Sequence, residues 1–256
     1  ASALVYGMLV HLFALTNLLH NHDNIASQPG GFGLGVDMGR WFLEILGRFF
    51  DKAGLNYNLP SVNGMIYIAL LAVVAALLVS VLKIRSKVSA VLIGGLFVAF
   101  PTVTATMIYR YTTIFYGISA VMAVMAVWVF RKFRGSLLVS AVLIALSMGI
   151  YQAYVPLTIA LFVLQLICEG LRGEADAKQL VLHGLADCLA LVLGLGLYFV
   201  GSEISVALFG QDLVDYQGVS TMGSITVSQL PKLLGNALKA VCCLPVRDYC
   251  GVANRA

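Results

Sequence analysis

An all-α, polytopic membrane bundle is expected from three features of this sequence. Of its 256 residues, 60% are hydrophobic and 11% charged, with a mean hydropathy of +0.93, whereas soluble domains carry about a quarter charged residues. The apolar residues gather into uncharged runs close to the ~20 residues that a helix needs to cross a hydrocarbon core. These runs lack the strict alternation of a barrel strand, so in lipid only a helix can satisfy their backbone internally. The balance of 16 Lys+Arg against 12 Asp+Glu, a net charge of +4, is weak and dispersed. It speaks against a nucleic-acid partner, for which basic residues would cluster on one face.

Taken in order, seven spans are predicted: Ser2–Leu19, Ser61–Leu82, Val88–Tyr109, Thr112–Phe130, Ser136–Tyr151, Tyr154–Cys168 and Leu180–Val200. Basic residues resist translocation and so orient the bundle. Lys83, Arg85 and Lys87 follow the second span, Arg131, Lys132 and Arg134 the fourth, and Arg172 and Lys178 the sixth. With these loops cytoplasmic, the N-terminus is cytoplasmic too. His20–Pro60, the turns at Arg110 and Gln152, and everything beyond Gly201 then lie outside. Residues 1–208 are expected to form the membrane module and 209–256 an outer loop with an interfacial helix over Val227–Cys242. The chain opens at Ala1 without Met or a basic leader and stops just after an apolar stretch. A trimmed chain, with a C-terminal part that is only beginning, is expected.

The outer loop 20–60 divides in two. Residues 20–40, HNHDNIASQPGGFGLGVDMGR, are polar and glycine-rich. Residues 41–55, WFLEILGRFFDKAGL, interleave Trp41, Leu43, Ile45, Leu46, Phe49 and Phe50 with Glu44, Arg48, Asp51 and Lys52. That pattern predicts an amphipathic helix lying in the headgroup plane.

Asp23 directly follows a span, where a carboxylate in a partly dehydrated cleft can act as a general base; Asp37 is a second acidic candidate in the same loop. A solvated loop carboxylate is the plain alternative. His20, His22 and Asp23 could also ligate a divalent metal, but the spacing is poor and no metal-site motif accompanies them, so no cofactor is required. Gly30, Gly31, Gly33 and Gly35 match no nucleotide-binding unit. They suit a chain that turns over a substrate mouth, or simply a flexible loop.

Arg40 and Arg110 are the basic candidates, since a guanidinium binds phosphate bidentately. Arg40 stands at the start of the amphipathic helix, whose N-terminus adds its own positive end. Arg110, between Tyr109 and Tyr111, is either a snorkelling anchor or a ligand aimed into the cleft. Tyr151, Gln152 and Tyr154 occupy the next outer turn, where tyrosines commonly form an aromatic belt and Gln152 suits a sugar hydroxyl. Asp187 is the acid deepest in an apolar span; a local pair with His183, one turn earlier, is the simplest account. Cys168 and Cys188 fall in or beside inner half-spans as free buried thiols. Cys242, Cys243 and Cys250 fall outside, where Cys250 could bridge to either of the other two.

The order of parts, one span, an outer loop with an Asp, an amphipathic helix, then alternating short and long loops, resembles the GT-C architecture. More closely, HNHDNIASQPGGFGLGVDMGRW at 20–41 and IYQAY at 150–154 resemble the bacterial glucosyltransferases that modify O-antigen, the serotype-type glucosyl transferase II group, best over Leu15 to Pro156. The resemblance implies an enzyme of the bacterial inner membrane with its site facing the periplasm. Its donor would be a polyprenyl-phosphate sugar, with glucose expected, and its acceptor a surface or lipid-linked glycan. It implies Asp23 as the base, inversion at the anomeric carbon, and Arg40 or Arg110 on the departing lipid phosphate. His22, Asn24, Tyr151 and Gln152 are then candidate sugar or acceptor contacts. The chain is shorter than such relatives, which carry further spans.

A transporter or flippase is the rival class. It would place polar groups at the midplane of broken helices, often with repeat symmetry, whereas here they collect on one face. A non-catalytic assembly partner would leave Asp23, Asp37 and Arg40 without a joint role.

Overall fold

The computed structural model describes residues 1–17, 35–55, 59–133, 135–210, 229 and 231–238. The chain divides into two compact units, 1–213 and 214–256. In the second, a helix runs over 231–238. The first is entirely helical among the described residues. Its helices are α1 (Ser2–Val10), α2 (Leu12–Thr16), α3 (Trp41–Lys52), α4 (Pro60–Val81), α5 (Lys87–Ala99), α6 (Pro101–Thr106), α7 (Thr113–Lys132), α8 (Leu137–Ile150), α9 (Val155–Leu171) and α10 (Ala177–Phe209). Short 3₁₀ turns lie at Val36–Met38, Met107–Tyr109 and Gln152–Tyr154.

Five of the seven expected spans are long and apolar enough to cross a membrane: Ser61–Val81, Lys87–Tyr109, Thr113–Lys132, Gln152–Leu171 and Ala177–Phe209. The fifth expected span is α8, of only 14 residues. The first is broken at His11 into helices of nine and five residues. The third is interrupted where Phe100 turns extended before Pro101. Proline lacks an N–H and disfavours helical geometry in the residue before it. The break at His11 and the break at Phe100 meet. His11, 3% exposed, points Nε2 at the Val98 carbonyl at 2.8 Å, and Thr104 Oγ1 lies 3.3 Å from its Nδ1. A carbonyl only accepts, so Nε2 carries the proton and Nδ1 accepts from the threonine. The carbonyl freed by the Phe100 turn thus keeps a partner where lipid offers none.

The last span extends past Val200 to Phe209 and ends on Gly210 in a left-handed cap, φ 62°. Its N-terminus carries a capping box: Asp176 Oδ1 accepts from Gln179 N at 2.7 Å, and Gln179 Oε1 accepts from Asp176 N at 2.9 Å. At 33 residues α10 is about 50 Å long and outruns the bilayer core.

Helix α7 is central, packed between α4 and α8 with α9 alongside; α10 lies against α8 and α9, while α1 and α5 pack on each other and on α4. Small residues permit this closeness, as is usual in lipid. A Cβ on Gly117 would come 2.7 Å from Leu70, and one on Gly194 2.7 Å from Ile144. Ser119 and Ser147 join α7 to α8 by donating to each other's carbonyl, each at 2.9 Å. All basic loops named above sit at one end of this bundle. The 3₁₀ turns, α3, Arg110 and the end of α10 sit at the other.

Candidate functional site

The site is built where the chain enters α3. Gly35 O accepts from Arg40 N at 2.7 Å and closes the segment 35–40 into a compact loop. Gly39 ends the 3₁₀ turn with φ 71°, a conformation that costs other residues dearly. Helix α3 then lies over the end of the bundle. Leu43 is fully buried while Ile45 and Phe49 stay exposed, and the helix stops at Lys52, three residues short of the expected stretch. Trp41 sits in a cradle made by glycines: a Cβ would approach its ring to 2.9 Å at Gly149 of α8 and to 2.6 Å at Gly201 of α10.

Four side chains expected from sequence come together here. The Arg40 guanidinium lies 5.0 Å above the Tyr151 ring, which stacks on Tyr116 at 4.5 Å and meets Tyr154 edge-on at 5.9 Å. Gln152 Nε2 donates to Met38 O at 2.9 Å and lies 3.1 Å from the Tyr198 hydroxyl, so its amide ties the loop to α9 and α10. Asp37, the fourth, stands in the 3₁₀ turn of the same loop. Burial pushes the Tyr111 hydroxyl above its ordinary pKa of 10, helped by Tyr116 and Tyr109, and the Arg40 charge pulls it partly back. Arg40 thus faces an aromatic wall.

Asp37 Oδ1, Arg40 Nε and Trp41 Nε1 are shielded from solvent and have no hydrogen-bond partner among the described residues. An unmet buried donor or acceptor costs on the order of 1–3 kcal/mol, more when charged. Three such atoms within residues 37–41 leave this loop able to take up a polar ligand. A guanidinium with a free donor above an aromatic shelf suits an anion held away from water.

Arg110 is placed differently. It is fully buried; Nε donates to Met107 O at 2.8 Å and a terminal nitrogen donates to Ala14 O. Its own carbonyl accepts from Thr113 Oγ1 at 2.8 Å and from Asn63 at 3.3 Å. It is neither a surface anchor nor an open ligand arm; it ties the end of α2 to the turn before α7. Ser61 Oγ reinforces that junction by donating to Leu15 O at 2.6 Å.

His20, His22, Asp23, Asn24, Gly30, Gly31, Gly33, Arg134, Cys242, Cys243 and Cys250 lie outside the described residues. Tyr198 and Trp41 also belong to the site; the sequence marks Trp41 only as part of the amphipathic helix and does not single out Tyr198. A hydroxyl-bearing residue in the otherwise apolar run 189–200 of the last span was the available signal.

At the opposite end, the expected His183–Asp187 pair is not formed. Arg131 reaches Asp187 at 2.5 Å and Glu169 at 3.5 Å, and His183 Nδ1 lies 2.9 Å from Glu169. A buried carboxylate gains more from a permanent cation across the helix interface than from an imidazole on its own helix. Cys168 and Cys188 are free thiols, but neither is buried as expected: Cys168 is half-buried and Cys188 is exposed on α10.

No grouping of three or more His, Cys, Asp or Glu among the described residues could hold a metal. A model of the family described as Glucosyl transferase GtrII matches residues 12–252. No curated protein and no solved structure matches the chain.

Proposed function

This chain belongs to the glucosyl transferase GtrII family, the O-antigen-modifying glucosyltransferase group, and we propose that it moves glucose from a polyprenyl-phosphate donor to a cell-surface glycan, with inversion. The observation that carries the reading is Arg40, whose buried Nε has no hydrogen-bond partner among the described residues, held over Tyr151. It suits a phosphate whose negative charge grows as it departs.

In this reaction the Asp23 carboxylate takes the proton of the acceptor hydroxyl. The hydroxyl oxygen bonds to the anomeric carbon from the face opposite the phosphate. The bond between that carbon and the phosphate oxygen breaks, and its electron pair leaves on the polyprenyl phosphate. Arg40 meets the departing charge directly, and Arg110, the other basic candidate, adds its positive charge from its buried place before α7. Asp37 is the second acid, and His22, Asn24, Tyr151 and Gln152 orient sugar and acceptor. Gln152 does so by holding the Met38 loop against Tyr198. With the basic loops cytoplasmic, the Arg40 end faces the periplasm of the bacterial inner membrane.

The test is glucosyl transfer from polyprenyl-phosphate glucose by the full-length protein. Asp23→Asn is expected to lose 10²–10⁴-fold in turnover. Arg40→Lys keeps a charge but not the fork, and is expected to retain more activity than Arg40→Gln. Unchanged turnover in Asp23→Asn rejects the base. Solute flux in proteoliposomes without any glycan product rejects the transferase reading.

A further inference from the structure

A cavity of about 530 Å³ opens at the basic end of the bundle. The other end carries Arg40 and lies one bilayer core away, since α7 spans the gap with 20 residues, about 30 Å. Lys83, Trp128, Arg131, Lys132, Phe133 and Ser136 are among the residues that line it. The volume falls in the range of small-molecule sites, and nothing in the proposed transfer reaction uses it.

The charges around it are unequally committed. Arg131 is held by Asp187 and Glu169, Lys83 by Glu174 at 2.6 Å, and His183 by Glu169. Arg172 donates to Leu82 O at 2.6 Å and approaches Glu174 at 4.0 Å. Lys132 is different. Its Nζ sits 4.2 Å from the centre of the Trp128 ring and 5.6 Å from that of Phe133, with no carboxylate in ion-pair reach among the described residues. Trp128 is itself fixed, donating Nε1 to Ser80 Oγ at 3.0 Å. An exposed ammonium on a rigid aromatic floor, beside an Arg131 whose Nε has no hydrogen-bond partner among the described residues, is a receptor for an anion.

The surroundings indicate where the anion comes from. The cavity lies where α4, α7 and α9 end and α8 and α10 begin, the level at which hydrocarbon gives way to water. Phe133, Leu138 and Leu171 stand exposed around that end, at 51%, 66% and 84%. Basic residues at this depth attract anionic headgroups, and tryptophan favours the same layer. We propose that this cavity binds a phosphate ester anion, the headgroup of an anionic phospholipid from the adjoining leaflet, with Lys132 as its principal contact and the exposed apolar residues against its chains.

The test titrates the full chain in neutral detergent with dihexanoylphosphatidylglycerol, dihexanoylphosphatidylcholine or inorganic phosphate while following tryptophan emission. The chain has two tryptophans, and Trp128→Phe identifies the reporter. A saturable change with phosphatidylglycerol, absent with phosphatidylcholine, is expected. It should weaken about fivefold in Lys132→Gln and vanish in Lys132→Glu, while both variants melt like the parent. Lys132 is exposed, so neither change threatens folding. Saturation by inorganic phosphate as tight as by phosphatidylglycerol keeps the phosphate site and overturns the lipid source. Equal response to phosphatidylcholine, parental titration of both Lys132 variants, or no saturation by either phosphate compound overturns the site.

Discussion

Replacing Gly39 by alanine perturbs the candidate site in a way that a second glycine calibrates. Gly39 and Gly54 share the left-handed backbone, φ 71° and 70°, so alanine at either carries a similar strain of about 1–2 kcal/mol. They differ in surroundings. Nothing lies within 4 Å of a Cβ on Gly54, whereas one on Gly39 would drive into the Tyr198 hydroxyl and come 3.1 Å from Gln152 Nε2. Tyr198 is buried and cannot step aside. Gln152 must then release Tyr198 and the Met38 carbonyl, at about 1 kcal/mol for each hydrogen bond. Gly39→Ala should therefore cost about 2 kcal/mol more than Gly54→Ala. At about 2–4 °C per kcal/mol, that difference is about 4–8 °C in Tm, read by thermal unfolding in detergent. Arg40 follows Gly39 directly, so kcat/KM for the proposed polyprenyl-phosphate donor should fall about tenfold to thirtyfold, with Gly54→Ala near the parent. Equal Tm and equal kcat/KM in the two variants would refute the contact between the loop and Tyr198.

Alanine at Gly201 should unseat Trp41, shift its emission and lower transfer activity. Gly196 has open space around it on the same helix, and alanine there should be neutral or stabilising by up to about 1 kcal/mol; matching behaviour would count against the cradle. Asp187→Ala leaves Arg131 with Glu169 alone in a shielded place and should destabilise by about 3 kcal/mol. Restoration of Tm by a paired apolar replacement of Arg131 and Asp187 checks the cause, and a parental melt for Asp187→Ala would contradict it. The Lys83 ammonium holds the Glu174 carboxyl below its ordinary pKa of 4.5. A lowered folded pKa means that the contribution is present above pH 4.5 and is lost as pH falls through the folded value. Glu174→Gln should flatten this part of the acid limb of a Tm against pH profile and leave neutral pH little changed; a loss centred near neutrality would be the wrong sign.

The sequence by itself determined the class of the molecule, because hydropathy is a property of composition and run length. Apolar runs became α4, α7, α9 and α10. The interleaved aromatics and charges of 41–55 announced an amphipathic helix, whereas the break at Pro101 falls inside a run expected as one continuous span. The site was legible in part: Asp37, Arg40, Tyr151 and Gln152 were candidates on chemistry alone and the fold brings them together. The partners were not legible. Gln152 meets Tyr198 46 residues away, Arg131 meets Asp187 56 away, and His11 meets the Val98 carbonyl 87 away. A hydropathy pattern marks which stretch is buried but carries no rotation or register for the helix. Those are decided by how closely helices approach at residues such as Gly117, Gly194 and Gly201, where a missing Cβ admits a neighbour's side chain. Hydrogen bonds and ion pairs are directional and short-ranged, so only that tertiary packing could select Arg131 over His183 for Asp187 and leave Arg40 with a donor still to spend.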